Sequence, residues 1–184
     1  MKYVQQCMGV NGLEKIILRE VRGFSAEVYL YGAQVTSWKN DLGEELLFLS
    51  SKASFKPPKS IRGASWICKE QVLDIRSQSP SIPTNSTNKA FTDLILKHSE
   101  DDNKSWPHRY EFRLRVALGP AGDLMLTSRI RNTNTDGKPF TFTFAYNTYF
   151  YVTDISEVRI EGLETLDYLD NLKNKNDLLN KGML

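Results

Sequence analysis

The sequence predicts an all-β protein, an antiparallel β-sandwich, and three observations support this prediction. Apolar residues recur at every second position along most of the chain, which is the period of a half-buried strand. These alternating stretches are short, and Gly, Asp and Asn residues typical of turns separate them. No convincing helical period occurs before residue 165. Successive strands with apolar inner faces favour a sandwich, with a small barrel as the alternative.

Four strands are predicted in the first fifty residues. They correspond to KIILREV (15–21), SAEVYLYG (25–32), AQVTSWKN (33–40) and ELLFLS (45–50). In the second of them, Ala26, Val28 and Leu30 point to one face and Glu27, Tyr29 and Tyr31 to the other, before Gly32 breaks the run.

The most regular alternation lies between residues 109 and 150. YEFRLRVAL (110–118), DLMLTSRIRN (123–132) and FTFTFAYNTYF (140–150) read as three consecutive antiparallel strands. The Asp136-Gly137 pair supplies the positive φ that a tight hairpin turn requires. We expect the apolar face of these strands to be mostly buried: Phe112, Leu114, Val116, Leu124, Leu126, Ile130, Phe142 and Phe144.

Two regions depart from the alternating pattern. Residues 51–91 are rich in Ser, Pro, Asn and Lys and are predicted to form a long loop, and long ordered loops are usually functional. Residues 172–184 complete neither a strand nor a capped helix, and we expect them to fray. Because a chain of 184 residues suits one core, we expect a single partial domain over residues 1–184.

Composition excludes several classes of protein. The 24 basic and 22 acidic side chains leave a net charge of +2, which calls for neither nucleic acid nor a membrane as partner. The N-terminus lacks the apolar core of a signal peptide, so we expect a soluble cytoplasmic protein. Cys7, Cys68, His98 and His108 cannot assemble a disulfide framework or zinc spacing, so we expect no metal and no cofactor.

Long stretches of the sequence resemble one enzyme family. The resemblance is carried by VNGLEKIILREVRGFSAEVYLYGAQVTSWKNDLGEELLFLSSKASFKPPKSIRG (10–63), WPHRYEFRLRVALGPAGDLMLTSRIRNTNTDGKPFTFTFAYNTYF (106–150) and ISEVRIEGLETLDYLDNL (155–172). They are similar to the plant branch of the glucose-6-phosphate 1-epimerases, or hexose-6-phosphate mutarotases, of the aldose 1-epimerase and galactose mutarotase-like family. The resemblance implies a β-sandwich of the galactose mutarotase type and interconversion of the α and β anomers of hexose 6-phosphates.

Ring opening of a sugar needs a base at the anomeric hydroxyl and an acid at the ring oxygen. In the family these groups are a Glu on a later strand and a His in the motif FAYHTYF. Asn147 occupies the His position here, and an amide cannot donate and recover a proton near neutral pH. No residue of this sequence matches the Glu. The resemblance therefore implies an impaired chain, incomplete at the C-terminus and with an internal deletion, in which no catalytic residue is intact.

The family's phosphate-binding arginine falls on Arg62, whose planar guanidinium suits bidentate contact with phosphate. Lys52, Lys56 and Lys59 extend a basic rim or are merely solvated, and Trp66 stacks on a sugar or fills space. The implied partner is a hexose 6-phosphate or another sugar.

Three functions stay open at this stage: an active epimerase, a non-catalytic sugar-phosphate binding module, and a truncated product without function. A partial sandwich would expose a sheet edge and an apolar face, which invite self-association.

Overall fold

A computed structural model describes residues 3–57, 61, 66–67, 90–100, 106–142, 144, 146–162, 168–169 and 178–179. The chain divides into two compact units, residues 1–151 and residues 152–184. That the whole chain forms one domain stays a prediction. The strands described are β1 (Val4–Met8), β2 (Glu14–Arg19), β3 (Ser25–Tyr29), β4 (Gln34–Lys39), β5 (Trp66–Ile67), β6 (Ala90–Lys97), β7 (Tyr110–Leu118), β8 (Leu124–Asn132), β9 (Tyr146–Asn147), β10 (Tyr168–Leu169) and β11 (Leu178–Leu179).

The first sheet is an antiparallel meander in the order β1-β2-β3-β4. Three of its strands were predicted from their alternation, whereas β1 was not. A bulge between Glu27 and Val28 shifts the register of β3 against β4. Between these strands the chain turns at Tyr31–Ala33, where Gly32 has a φ of +71°, a left-handed conformation that favours glycine. The four strands therefore follow each other in space as they do in sequence.

The second sheet is antiparallel in the order β6-β7-β8. The alternation of β7 and β8 predicted these strands correctly, and no helix occurs among the described residues between 109 and 150. The register pairs Leu114 with Ser128 on β8 and with Leu94 on β6. Strand β6 was not predicted: the loop expected over residues 51–91 overlaps its first two residues, and no strand was predicted over residues 92–97.

The core lies between the two sheets. Ile16, Leu18 and Val28 of the first sheet and Leu94 and Leu114 of the second are at most 1% exposed and belong to one apolar cluster. This arrangement of two antiparallel sheets around one core confirms the predicted sandwich.

The predicted core residues of the second sheet were mostly correct. Phe112, Leu114 and Val116 are buried, and Leu124, Leu126, Ile130 and Phe144 are half-buried against the core. Phe142 is an exception, because 49% of its surface is exposed, so its predicted burial was wrong.

The stretch 140–150 does not form the continuous strand that its alternation predicted. Among its described residues, only Tyr146–Asn147 belong to a strand, and β9 pairs with β5 rather than with β8. Gly137 has the expected positive φ of 68°, but no described residue after the turn forms a ladder with β8. Residues 135–136 form a bend, so the predicted hairpin is not formed among the described residues.

Residues 45–50 also differ from prediction, because they form isolated bridges instead of a strand. Glu45 pairs with Lys39, and Leu47 pairs with Phe150. In the second unit, β10 pairs with β11, so Leu178 and Leu179 are extended within the tail that was expected to fray. The other residues of 172–184 lie outside the described part of the chain.

Candidate functional site

Asn147 lies in β9, and its partner across the ladder is Trp66 of β5. Its side chain is half-buried, and its Nδ2 donates a hydrogen bond to the hydroxyl of Tyr149 at 3.2 Å. Residues two apart on an extended chain share a face, which brings these two side chains together. Position 147 therefore presents an amide beside a phenol. The predicted neighbours Thr143 and Ala145 lie outside the described residues.

Tyr146 connects β9 to the second sheet. Its hydroxyl lies 2.5 Å from the Ser128 hydroxyl on β8, and its ring makes an edge contact with Phe144 at 5.0 Å. Phe144 in turn lies 5.9 Å from the ring of Phe112 in the core. These contacts fix the backbone on one side of Asn147 through β8 and the core.

The other side of Asn147 is fixed through the segment 46–48. Phe48 donates its backbone N–H to the carbonyl of Tyr149 at 2.9 Å, and Tyr151 donates to Leu46 at 3.0 Å. The amide of Leu46 bonds Trp38 on β4 at 2.8 Å. Residues 149–151 are thereby held beside the first sheet.

The aromatic side chains around this segment remain accessible. Tyr149, Phe150 and Tyr151 are 43%, 61% and 56% exposed, respectively. Surface of this kind, near a half-buried amide, is suited to contact with the apolar and hydroxyl groups of a sugar ring.

Arg62, the predicted phosphate-binding residue, lies outside the described residues, so its role stays a prediction. Its neighbour Ile61 is fully buried, and the Ile61 amide donates a 3.1 Å hydrogen bond to Oε1 of Gln34. Gln34 is itself 1% exposed at the start of β4. The chain before Arg62 is therefore anchored to the first sheet.

Other candidates in the long loop are only partly described. Lys52 and Lys56 are exposed and form no ion pair with any residue that the structure describes. Lys59 and the side chain of Trp66 lie outside the described part. Between the two exposed lysines, the Phe55 ring packs 5.0 Å from Tyr29, which fixes this end of the loop on β3.

The two histidines take part in packing. His108 makes an edge contact with Trp106 at 5.0 Å and lies 5.5 Å from Phe140. His98 is half-buried, its ring lies 6.5 Å from that of Tyr110, and its backbone N–H donates to the carbonyl of the same residue.

Sequence reasoning missed two buried polar residues, Glu20 and Gln34. The Glu20 side chain is 2% exposed, and its carboxylate accepts a 2.7 Å hydrogen bond from the backbone of Arg22. Gln34 occupies an outward position in the predicted alternation, and the loop that covers it comes from residues far along the chain. Periodicity carries no signal for such a cover.

Among the described residues, His, Cys, Asp and Glu form no group of three that could hold a metal ion. None of the described helices is long and apolar enough to cross a membrane.

Comparison with known families decides the relationship of this chain. The aldose 1-epimerase family model matches residues 14–72 and 74–182. The chain belongs to the aldose 1-epimerase family. This match covers every described strand except β1, and the segments that carry Arg62 and Asn147.

Curated members of the family with similar sequences carry one name. A "Putative glucose-6-phosphate 1-epimerase" of Cenchrus ciliaris is 61% identical over 188 residues, covering 94% of this chain and 57% of the relative. A protein of the same name from Escherichia coli (strain K12) is 30% identical over 151 residues, covering 75% of this chain and 49% of the relative. The chain thus spans about half the length of the curated relatives.

Solved structures share the fold. The crystal structure of a "putative mutarotase (YeaD)" from Salmonella typhimurium matches with a TM-score of 0.74 and 23% identity, covering 99% of this chain and 63% of that one. Galactose 1-epimerase from Lactobacillus acidophilus NCFM matches with a TM-score of 0.50 and 16% identity, covering 70% of this chain and 48% of that one. The fold is therefore the galactose mutarotase-like β-sandwich.

Proposed function

We propose that this protein binds hexose 6-phosphates, in the manner of a glucose-6-phosphate 1-epimerase. We propose also that it interconverts their anomers more slowly than such an enzyme, because Asn147 takes the place of a proton donor. The observation that supports the proposal best is the pairing of β5 with β9. It joins the loop that contains Arg62 to the strand that contains Asn147. The 61% identity to the Cenchrus ciliaris relative favours the same substrate class.

The spacing along the chain supports a shared site for the phosphate and the sugar. Four peptide units separate Arg62 from Trp66, so their Cα atoms are at most about 15 Å apart. Trp66 lies directly across the ladder from Asn147, which adds about 5 Å. This upper bound of about 20 Å between the Cα atoms of Arg62 and Asn147 is compatible with an Arg62 side chain that contacts the phosphate of a sugar held at Asn147.

The chemistry at position 147 supports binding better than catalysis. Asn147 and Tyr149 together offer amide and hydroxyl groups that hydrogen-bond sugar oxygens. An amide transfers no proton near neutral pH, and loss of one acid or base group typically lowers a rate by about 10²–10⁴-fold. If the catalysed rate is zero, the protein is a non-catalytic sugar-phosphate binding module.

Binding is tested first. Saturation-transfer NMR with glucose 6-phosphate should show contact with the protein, and Arg62→Gln should weaken binding by about tenfold or more because a phosphate loses its charged partner. Arg19→Gln is the matched control, because Arg19 lies on β2 and contacts Gln5. Equal affinity of the two variants would contradict the assignment of Arg62.

Catalysis is tested separately by magnetisation exchange between the two anomers of glucose 6-phosphate. The chain should accelerate exchange far less than the full-length Cenchrus ciliaris relative used as positive control. If the chain exchanges the anomers rapidly and Asn147→Ala abolishes this exchange, the proposal that Asn147 impairs catalysis is wrong. A chain that unfolds cooperatively and binds the sugar phosphate has the proposed function. A chain that unfolds cooperatively without binding is folded but lacks this function, and a chain that does neither is a product without function.

A further inference from the structure

The outer face of the second sheet carries a concentration of positive charge. Its charged side chains comprise five basic and two acidic residues: Lys97, Arg113, Arg115, Arg129, Arg131, Asp93 and Glu111. The face therefore has a net charge of +3, whereas the whole chain of 184 residues has only +2. We call these seven residues the arginine face.

Two arginines of this face lie directly opposite each other. The register of β7 and β8 pairs Arg113 with Arg129, so their Cα atoms are about 4.5–5.5 Å apart. Like charges opposite each other across two strands destabilise a sheet. Among the described residues, an ion pair offsets this repulsion at Arg113 but not at Arg129.

The acidic residues of the face are already engaged by other arginines. Asp93 holds Arg115 through two hydrogen bonds of 2.7 and 2.8 Å. Glu111 accepts a 2.8 Å hydrogen bond from Nε of Arg113. Glu111 also lies directly across the ladder from Arg131, but within the described part of the chain neither Arg129 nor Arg131 forms an ion pair. Two guanidinium groups on β8 are thus available to an anionic ligand.

We propose that the arginine face binds an extended acidic segment of a partner protein. Arg129 and Arg131 are two residues apart on an antiparallel strand, which separates them by about 6.8 Å. Carboxylates at alternate positions of an extended peptide have the same spacing. Each can take a bidentate hydrogen bond from one guanidinium.

The surroundings of the arginines favour a peptide over single-stranded nucleic acid. Recognition of unpaired bases uses exposed aromatic rings as stacking platforms. On this face the described aromatic residue is Phe91, and the Arg115 guanidinium already lies 4.6 Å from the centre of its ring. Met125, which lies on the same face four residues before Arg129, is 37% exposed and offers apolar contact to side chains of the peptide.

The test uses a fluorescein-labelled peptide of alternating Glu and Thr, with binding followed by fluorescence anisotropy. Affinity should fall as salt rises, since exposed charges are screened over about 8 Å at physiological ionic strength. The double variant Arg129→Gln/Arg131→Gln should bind about tenfold more weakly or worse. The matched double variant Arg19→Gln/Arg22→Gln removes the same charge from the end of β2 and the turn that follows it, and should bind like the unmodified chain.

A single charge reversal separates loss of binding from loss of folding. Arg129→Glu places an opposite charge across from Arg113, so the thermal midpoint should rise while peptide binding is lost. Equal weakening by both double variants would overturn the proposal, as would peptide binding that Arg129→Glu leaves intact. Tighter binding of an oligothymidylate through the same arginines would overturn it in favour of nucleic acid.

Discussion

The hydrogen bond between Gln34 and Ile61 should contribute strongly to stability and also to the placement of the predicted phosphate site. Gln34→Met removes the acceptor while keeping an unbranched side chain of similar size. The Ile61 amide then has no partner in a place that water does not reach, since the two residues are 1% and 0% exposed.

The structure sets the expected magnitude of this change. A buried donor that loses its acceptor costs about 1–3 kcal/mol. Because both residues are fully buried, we expect the upper half of that range, about 2–3 kcal/mol, from the free energy of unfolding. Urea unfolding followed by tryptophan fluorescence measures this value, and its m-value should not change.

A matched control is available on β1. The side chain of Gln6 donates a 3.1 Å hydrogen bond to Glu14 in an exposed position, so Gln6→Met should change stability by less than about 0.5 kcal/mol. The Gln34 variant should also bind glucose 6-phosphate more weakly, because Ile61 directly precedes Arg62. Equal unfolding free energies for the two variants would refute the reasoning.

Three further predictions concern the core and the turns. Gly122→Ala should destabilise the protein by about 1–2 kcal/mol because alanine disfavours the positive φ at this position. The total loss, measured by urea unfolding, should be larger because a Cβ would also overlap the Phe24 ring. Leu114→Ala should cost about 2–5 kcal/mol by the same assay, and a loss below that would mean that the site collapses. The backbone N–H of Lys138 and then its charge lower the pKa of Asp136, so this turn loses stability as pH falls through that pKa. Carboxyl NMR titration should find the lowered pKa largely retained in Lys138→Gln, and its return to the ordinary value would show that charge dominates.

Alternation predicted the strands that lie in the middle of the sandwich. Phe112, Leu114 and Val116 occupy one face of β7, and all three are buried as the period of two required. Because β7 has a pairing partner on each side, its backbone is held extended along its whole length. The period of two then decides which of its side chains face the core.

The stretch 140–150 shows where alternation fails. Its period was as regular as that of β7, yet only Tyr146 and Asn147 form a ladder among its described residues. Period fixes which side chains share a face when a chain is extended, but it does not fix which segment supplies the backbone hydrogen bonds. Phe142 stays 49% exposed because burial also needs a layer that covers it.

The description of the candidate site needed both the sequence and the tertiary structure. The residue types at positions 62 and 147 and their family relationship were readable from sequence, since a guanidinium suits phosphate and an amide cannot replace an acid. The sequence did not show that Trp66 pairs with Asn147 or that the Ile61 amide bonds the Gln34 side chain, because both contacts join distant segments.

The sequence by itself determined the class of fold, the family and the chemical limits of Asn147, because these follow from local periodicity and residue type. Tertiary structure alone decided the pairing of β5 with β9, the burial of Gln34 and the meeting of Arg113 with Arg129. These contacts join residues far apart in the chain, and their energies arise only when folding has brought distant segments into register.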